Sequence, residues 1–331
     1  MSGLRTVAKY AKVSVSTVSR VINEPEKVNP ATRIKVLKAI KKLNYKPNLT
    51  AQRLRSKAKQ RNLIGLLVPD IQNPFYVEVV RGVEDQAYKN GYAVLMGNFA
   101  QDEIKEKMYL DIMHSEEIDG LIVAPAHERD EKVIELLNHG IPIICVDRGL
   151  KDVDVDVVLV DNEKGAYDAV TYLIKKGHRR IAYIGGMKNI PTTLQRKEGY
   201  QKALRENGLK LEKSLIRFGN SKHESGKQIA EELLNCEKPP TAFFTGNNLI
   251  TLGALETIHN KKLNIPDDLA IIGFDDMPWA ISLNPPLTAV GQPGYEIGKR
   301  AADVLLQRIN DPDRLRAKIV LNTELKIRES C

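Results

Sequence analysis

The stretch Val13-Ser14-Val15-Ser16-Thr17-Val18-Ser19-Arg20-Val21-Ile22-Asn23 decides how the rest of the chain is read. Ser14 can cap a helix that begins at Val15. Val15, Val18 and Ile22 then fall on one side of it at helical spacing. The other side carries Ser16, Thr17, Ser19, Arg20 and Asn23. These are short or forked hydrogen-bonding side chains, suited to phosphate oxygens and to base edges in a major groove. A helix that merely faced water would carry more Glu and Lys. Upstream, Leu4, Val7, Ala8 and Ala11 follow the same helical spacing, and a short turn around Lys12 to Ser14 separates the two helices. Helices joined this tightly predict a helix-turn-helix. A third helix begins at Asn29-Pro30, a cap followed by proline at the first helical position. Its expected apolar row is Ile34, Leu37, Ile40 and Leu43, with Arg33, Lys35, Lys38, Lys41 and Lys42 on the other face.

The charge distribution supports a nucleic-acid partner. Of 50 Lys and Arg and 42 Asp and Glu in the chain, residues 1–61 hold 16 and 2, a net of +14, which leaves 34 and 40, a net of −6, for the remainder. A basic head of this kind seeks phosphate. The 331 residues suit two or three domains, and 42% hydrophobic content excludes a disordered chain. Three widely separated cysteines read as reduced thiols, and no apolar run reaches the roughly 20 residues of a membrane helix. With no charged-then-apolar leader, a cytoplasmic location is expected.

Here the chain resembles the LacI/GalR family of transcriptional regulators. The resemblance rests on Val7-Ala8-Lys9, Val13-Ser14, Thr17 to Asn23, and a hinge-like stretch Leu43-Asn44-Tyr45-Lys46-Pro47-Asn48 followed by Ala51-Gln52-Arg53-Leu54. Departures are Gly3 where the family has Thr, Thr6 where it has Asp, and Lys12 where it has Gly. The resemblance implies that Val15, Ser16 and Arg20 read bases, and that Ser14, Thr17, Ser19 and Asn23 hold phosphates or the turn. It implies a headpiece over 1–47 and a hinge helix over 48–61, in which Asn48, Ala51, Leu54 and Arg55 meet DNA. Leu54 would wedge into the minor groove, a sensible use of an apolar side chain in a basic segment.

From residue 62 the pattern changes. Apolar runs such as Leu63–Val68, Gly120–Ala124, Ala242–Thr245 and Leu269–Gly273 alternate with amphipathic stretches such as Tyr76–Asn90 and Lys164–Lys176. This alternation predicts parallel sheets covered by helices, in two α/β lobes like those of periplasmic binding proteins. The expected N-lobe is 62–160 plus 293–321, and the C-lobe 161–292 plus 322–331.

Open α/β sheets bind ligands at the carboxyl ends of their strands. Asp70, Asn73, Phe75 and Tyr76 stand there, as do Asp147, Arg148, Asp161, Asn247 and Asp275, with Arg196 opening a helix. Donors, acceptors and a ring in this mixture suit a polyhydroxylated ligand. The resemblance continues through Asn73-Pro74-Phe75-Tyr76, Arg196-Lys197-Glu198-Gly199, Asn247-Asn248 and Gly273-Phe274-Asp275-Asp276, and Asn248 stands where the family more often has Asp. It implies an effector pocket of Phe75, Asp147, Arg148, Asp161, Arg196, Asn247, Asp275 and Gln292. The effector class is a sugar, sugar acid or sugar phosphate.

Two other function classes fit the sequence less well. An enzyme is disfavoured: there is no Gly-x-Gly-x-x-Gly, no Gly-x-Ser-x-Gly and no metal spacing among the six histidines. No cofactor and no metal are expected. A sugar-transport protein is opposed by the basic head. Trp279 reads as loop packing, and no residue argues for or against a protein co-regulator. A pseudo-palindromic DNA operator read by a homodimer is the expected partner, since no leucine heptads follow the last expected strand, Thr323–Ile327.

Overall fold

The structure, a computed structural model, describes residues 3–45 and 61–331. Asn48, Ala51, Leu54, Arg55 and the expected hinge helix lie outside the described residues, as does the Asn23 side chain. The chain divides into two compact units, Met1–Arg61 and Asn62–Cys331.

The first unit holds helices α1 (Leu4–Ala11), α2 (Val15–Asn23) and α3 (Pro30–Lys42). Gly3 gives α1 no side-chain cap, and Lys12 ends it at φ 53°, a left-handed conformation that glycine adopts more cheaply. Ser14 caps α2 by accepting from the Thr17 N–H at 3.0 Å. Asn29 caps α3 through the Ala31 N–H at 2.9 Å, and Pro30 takes the first helical position. The core is Val7, Ala8, Val18, Val21, Val36 and Ala39.

The apolar row of α3 differs from expectation. Val36 and Ala39 are buried, with Ile40 and Leu43 packed beside them, whereas Ile34 and Leu37 are 54% and 46% exposed. Val36, Ala39, Ile40 and Leu43 also obey the helical spacing, so two overlapping rows satisfy the same period. On α2, Val21 takes the inner place expected of Val15, and Val15 is exposed.

The second unit has two six-stranded sheets. The first runs β2 (Ala93–Asn98), β1 (Leu63–Val68), β3 (Gly120–Val123), β4 (Ile143–Val146), β5 (Asp156–Val160), β11 (Lys318–Leu321). The second runs β7 (Ile216–Phe218), β6 (Ile181–Gly185), β8 (Ala242–Thr245), β9 (Ala270–Phe274), β10 (Thr288–Gly291), β12 (Glu324–Lys326). Every pairing is parallel except β10 with β12. The two strand orders correspond position by position, so β4 is the counterpart of β9.

Helices cover both faces of each sheet, as parallel strands require. On the first sheet, α4 (Pro74–Lys89) and α11 (Gly294–Asn310) cover one face, and α5 (Glu103–Ser115) and α6 (Glu131–Asn138) the other. On the second sheet, α7 (Asn162–Lys175) and α8 (Pro191–Glu206) lie opposite α9 (His223–Leu234) and α10 (Asn248–Asn260). α4 and α11 approach at reciprocal glycines: a Cβ on Gly82 would stand 2.0 Å from the Tyr295 carbonyl, and one on Gly298 2.0 Å from that of Val79.

The chain passes between the lobes three times: from β5 into α7, from β10 into α11, and from β11 into β12. The segment between α11 and β11 is stapled by buried Arg308. Its Nε donates to Asp156 at 2.9 Å, and its remaining N–H groups reach the carbonyls of Pro312, Arg314 and Leu315.

Candidate functional site

Parallel strands place the loops at their carboxyl ends side by side, and in the second unit those loops from both lobes line one cavity. Phe75, Asp147, Arg148, Arg196, Asn247, Asp275 and Gln292 all border it. It is a narrow cleft with little enclosed space, about 50 Å³.

Asp147 follows β4 and Asp275 follows β9, the counterpart strand in the other lobe. Both take the left-handed backbone conformation, at φ 65° and 76°. Such strain gathers at sites where geometry serves a ligand, and Asp tolerates it better than most residues. Each carboxylate is held by a neighbour. Tyr76 donates its hydroxyl to Asp147 at 2.9 Å, and the Gln292 amide donates to Asp275. Burial raises the Tyr76 phenol well above its ordinary pKa, and the charge of Asp147 adds to the rise. The phenol therefore stays a donor at neutral pH. Burial also pushes Asp275 upward, opposed chiefly by the Arg196 charge.

The Arg196 guanidinium sits over the Phe274 ring, 3.8 Å from its centroid. It donates to Asn162 at 2.8 Å and to the Gly246 carbonyl at 2.6 Å. Asn247 caps α10 through the Ile250 N–H and donates to the Ser221 carbonyl. Two lining residues keep a buried polar atom without a protein partner: a guanidinium nitrogen of Arg148 and the amide oxygen of Gln292.

Asp161 is the exception among the expected pocket residues. It does not border the cavity. Its carboxylate caps α7 by accepting from the Lys164 N–H at 2.9 Å, and so is spent on the helix start. The next residue, Asn162, accepts from the Arg196 guanidinium at 2.8 Å. Tyr76, Asp70 and Asn73 line the cavity too, and so do Thr192 and Thr193, which the sequence did not single out. Pro191-Thr192-Thr193 reads in sequence only as a helix start. Trp279 packs on the cluster between the second sheet and α9 and α10, away from the cavity.

In the first unit, Ser14, Val15, Ser16, Ser19 and Arg20 are not buried, and they mark the outer side of α2. Ser14 contacts the hydroxyls of Ser16 and Thr17, both at 2.8 Å. The head is a preformed basic helix-turn-helix, and the body a two-lobed cleft.

Comparison with known proteins agrees with both halves. Residues 3–48 match the bacterial regulatory proteins of the lacI family, and residues 61–328 match the periplasmic binding proteins and sugar binding domain of the LacI family. The chain belongs to the LacI family. It is 35% identical over 327 residues to the HTH-type transcriptional repressor CytR of Escherichia coli K12, across 99% of this chain and 95% of that one. The crystal structure of the Lac repressor bound to ONPG in its repressed state superposes with a TM-score of 0.86 at 27% identity, over 99% of both chains. A complex of the transcriptional regulator CelR with cellobiose gives a TM-score of 0.76 at 30% identity, again over 99% of both chains. As a LacI-family member the protein is a DNA-binding transcriptional regulator and not an enzyme. Among the described residues, no helix is long and apolar enough to cross a membrane, and no group of three metal-ligating side chains occurs.

Proposed function

We propose that this regulator is a cytoplasmic, homodimeric repressor whose affinity for a pseudo-palindromic operator is set by a small neutral sugar bound between its lobes. Arg20 forks onto a guanine edge, Val15 and Ser16 contact neighbouring bases, and Ser14, Thr17 and Ser19 hold phosphates or the turn. The effector contacts are Phe75, Asp147, Arg148, Arg196, Asn247, Asp275 and Gln292.

The charge balance of the cavity carries the choice of a neutral ligand. Asp70, Asp147 and Asp275 line it against Arg148, Arg196 and Lys222, three of each sign. Arg196 is already occupied by Asn162, the Gly246 carbonyl and the Phe274 ring, so no surplus cation faces an acid or phosphate group. The unpartnered donor on Arg148 and acceptor on Gln292 are satisfied together by hydroxyls, which offer both functions. A CelR complex with cellobiose, in a chain of the same architecture, supports a sugar as the ligand.

The test is thermal stabilisation of the full chain by panels of neutral pentoses and hexoses, aldonic acids and sugar phosphates. A ligand of the folded state raises the melting temperature. A neutral sugar should stabilise the protein and alter operator binding in a gel-shift assay. Stabilisation by sugar phosphates alone, or a stabilising sugar without effect on operator binding, contradicts the assignment.

A further inference from the structure

Beside the cavity, one hydrogen bond joins the two lobes directly. The Asn248 amide, at the first residue of α10, donates to the Asn73 amide oxygen, at the start of α4, at 2.8 Å. Asn248 is 1% exposed and Asn73 8%, so water does not compete for the bond. Its polarity is dictated locally. The Asn73 oxygen also accepts the Phe75 N–H at 3.0 Å as the cap of α4, so that atom must be an acceptor. Asn248 can therefore offer only its NH2 group. Its own oxygen has no partner, and its backbone N–H lies 3.4 Å from the Asp275 carboxylate. The bond stands near the crossing from β10 into α11, where Gln292 meets Asp275 and Gly294 meets Phe75, and it needs no atom of a ligand.

We propose that Asn248 and Asn73 form a clasp that biases the lobes toward closure. Asn248 does not border the cavity, so it acts as a positioning residue. The proposal rests on the reading of the cleft as the effector site. A ligand that binds the closed form pays a penalty set by how little of that form exists beforehand. The clasp raises that fraction and so tunes effector affinity; Asn248 acts without bordering the cavity, whereas Asn73 also lines it.

One chemical change made at either end separates a clasp from simple packing. Asn73→Asp keeps the capping oxygen and still accepts from Asn248, so closure persists. Asn248→Asp removes the donor and sets a carboxylate against the Asn73 oxygen and Asp275, so the lobes open. Asn248→Ala deletes the bond without adding charge. The readout is the inter-lobe distance distribution by pulsed dipolar spectroscopy on the full chain without sugar. Labels sit at exposed Cys236 and at Lys151→Cys, and labelled protein is diluted in unlabelled chain. Asn248→Asp and Asn248→Ala should shift the closed-to-open ratio toward open by roughly fivefold, the size of one net buried hydrogen bond. Asn73→Asp should leave it unchanged or more closed. If the Asn73 and Asn248 acid variants shift the ratio the same way, or neither shifts it, the clasp is refuted. Because no sugar is present, that result is independent of the effector panel.

Discussion

Replacing Glu106 by Gln should stabilise the protein by an amount that grows with pH. Glu106, on α5, is 3% exposed. It accepts the Ala126 N–H at 3.0 Å and faces Asp130, which caps α6 through the Val133 N–H and keeps its second oxygen unpartnered. Burial first, and the charge of Asp130 second, push its carboxyl from 4.5 up to about 8. The folded protein therefore holds this proton at neutral pH while the unfolded chain has released it. Stability from this group is complete below about pH 4.5 and declines as pH rises, until the folded carboxyl itself ionises near 8. A shift of this size corresponds to a loss on the order of 3–5 kcal/mol. Glutamine keeps the acceptor for Ala126 and offers a permanent N–H to Asp130, so it avoids that loss. Melting temperatures of wild type and Glu106→Gln should be close at pH 5 and separate by about 6–15 °C at pH 9. A gap that stays constant across that range would refute the shared-proton account of this pair.

Two further outcomes follow from other parts of the chain. Arg20→Ala should weaken specific operator binding by about 1–3 kcal/mol and relax the preference at one base position, measured by competition with single-base operator variants. An unchanged base preference removes Arg20 from the reading set. Arg308→Met should strand the Asp156 carboxylate and three carbonyls, lowering stability by about 3–5 kcal/mol. Calorimetry should show the melting temperature of the second unit falling by about 6–15 °C, and a fall of less than 2 °C would mean that Arg316, 3.7 Å from Asp156, takes over the charge.

Much of this architecture was legible from periodicity. Leu63–Val68 and Ala242–Thr245 are strands with the expected bounds, because short apolar runs between helices suit only buried parallel strands. Most cavity residues are legible because parallel topology forces strand ends together, whereas Gln292 enters only through the family resemblance. What escaped has identifiable causes. Ile216–Phe218 is only three residues long, and Lys318–Leu321 is a half-exposed edge strand, so neither displays a buried run. The buried row of α3 differs from the expected one because two sets of residues obey the same spacing. Asp161 and Asn162 were indistinguishable in sequence, since both types cap helices. Only the position of Arg196 decides which one faces the site.

The three crossings between the lobes have a mechanical consequence. A single linker would let the lobes swivel about many axes, and effector binding would select among many relative orientations. Three nearly adjacent tethers act like the pins of a door hinge, blocking twist and slide and leaving one rotation. Any ligand that draws Asp147 toward Asp275 must therefore swing the first lobe along the same arc. One ligand can then be exchanged for another by changing a few cleft residues, and the direction in which the lobes move stays the same.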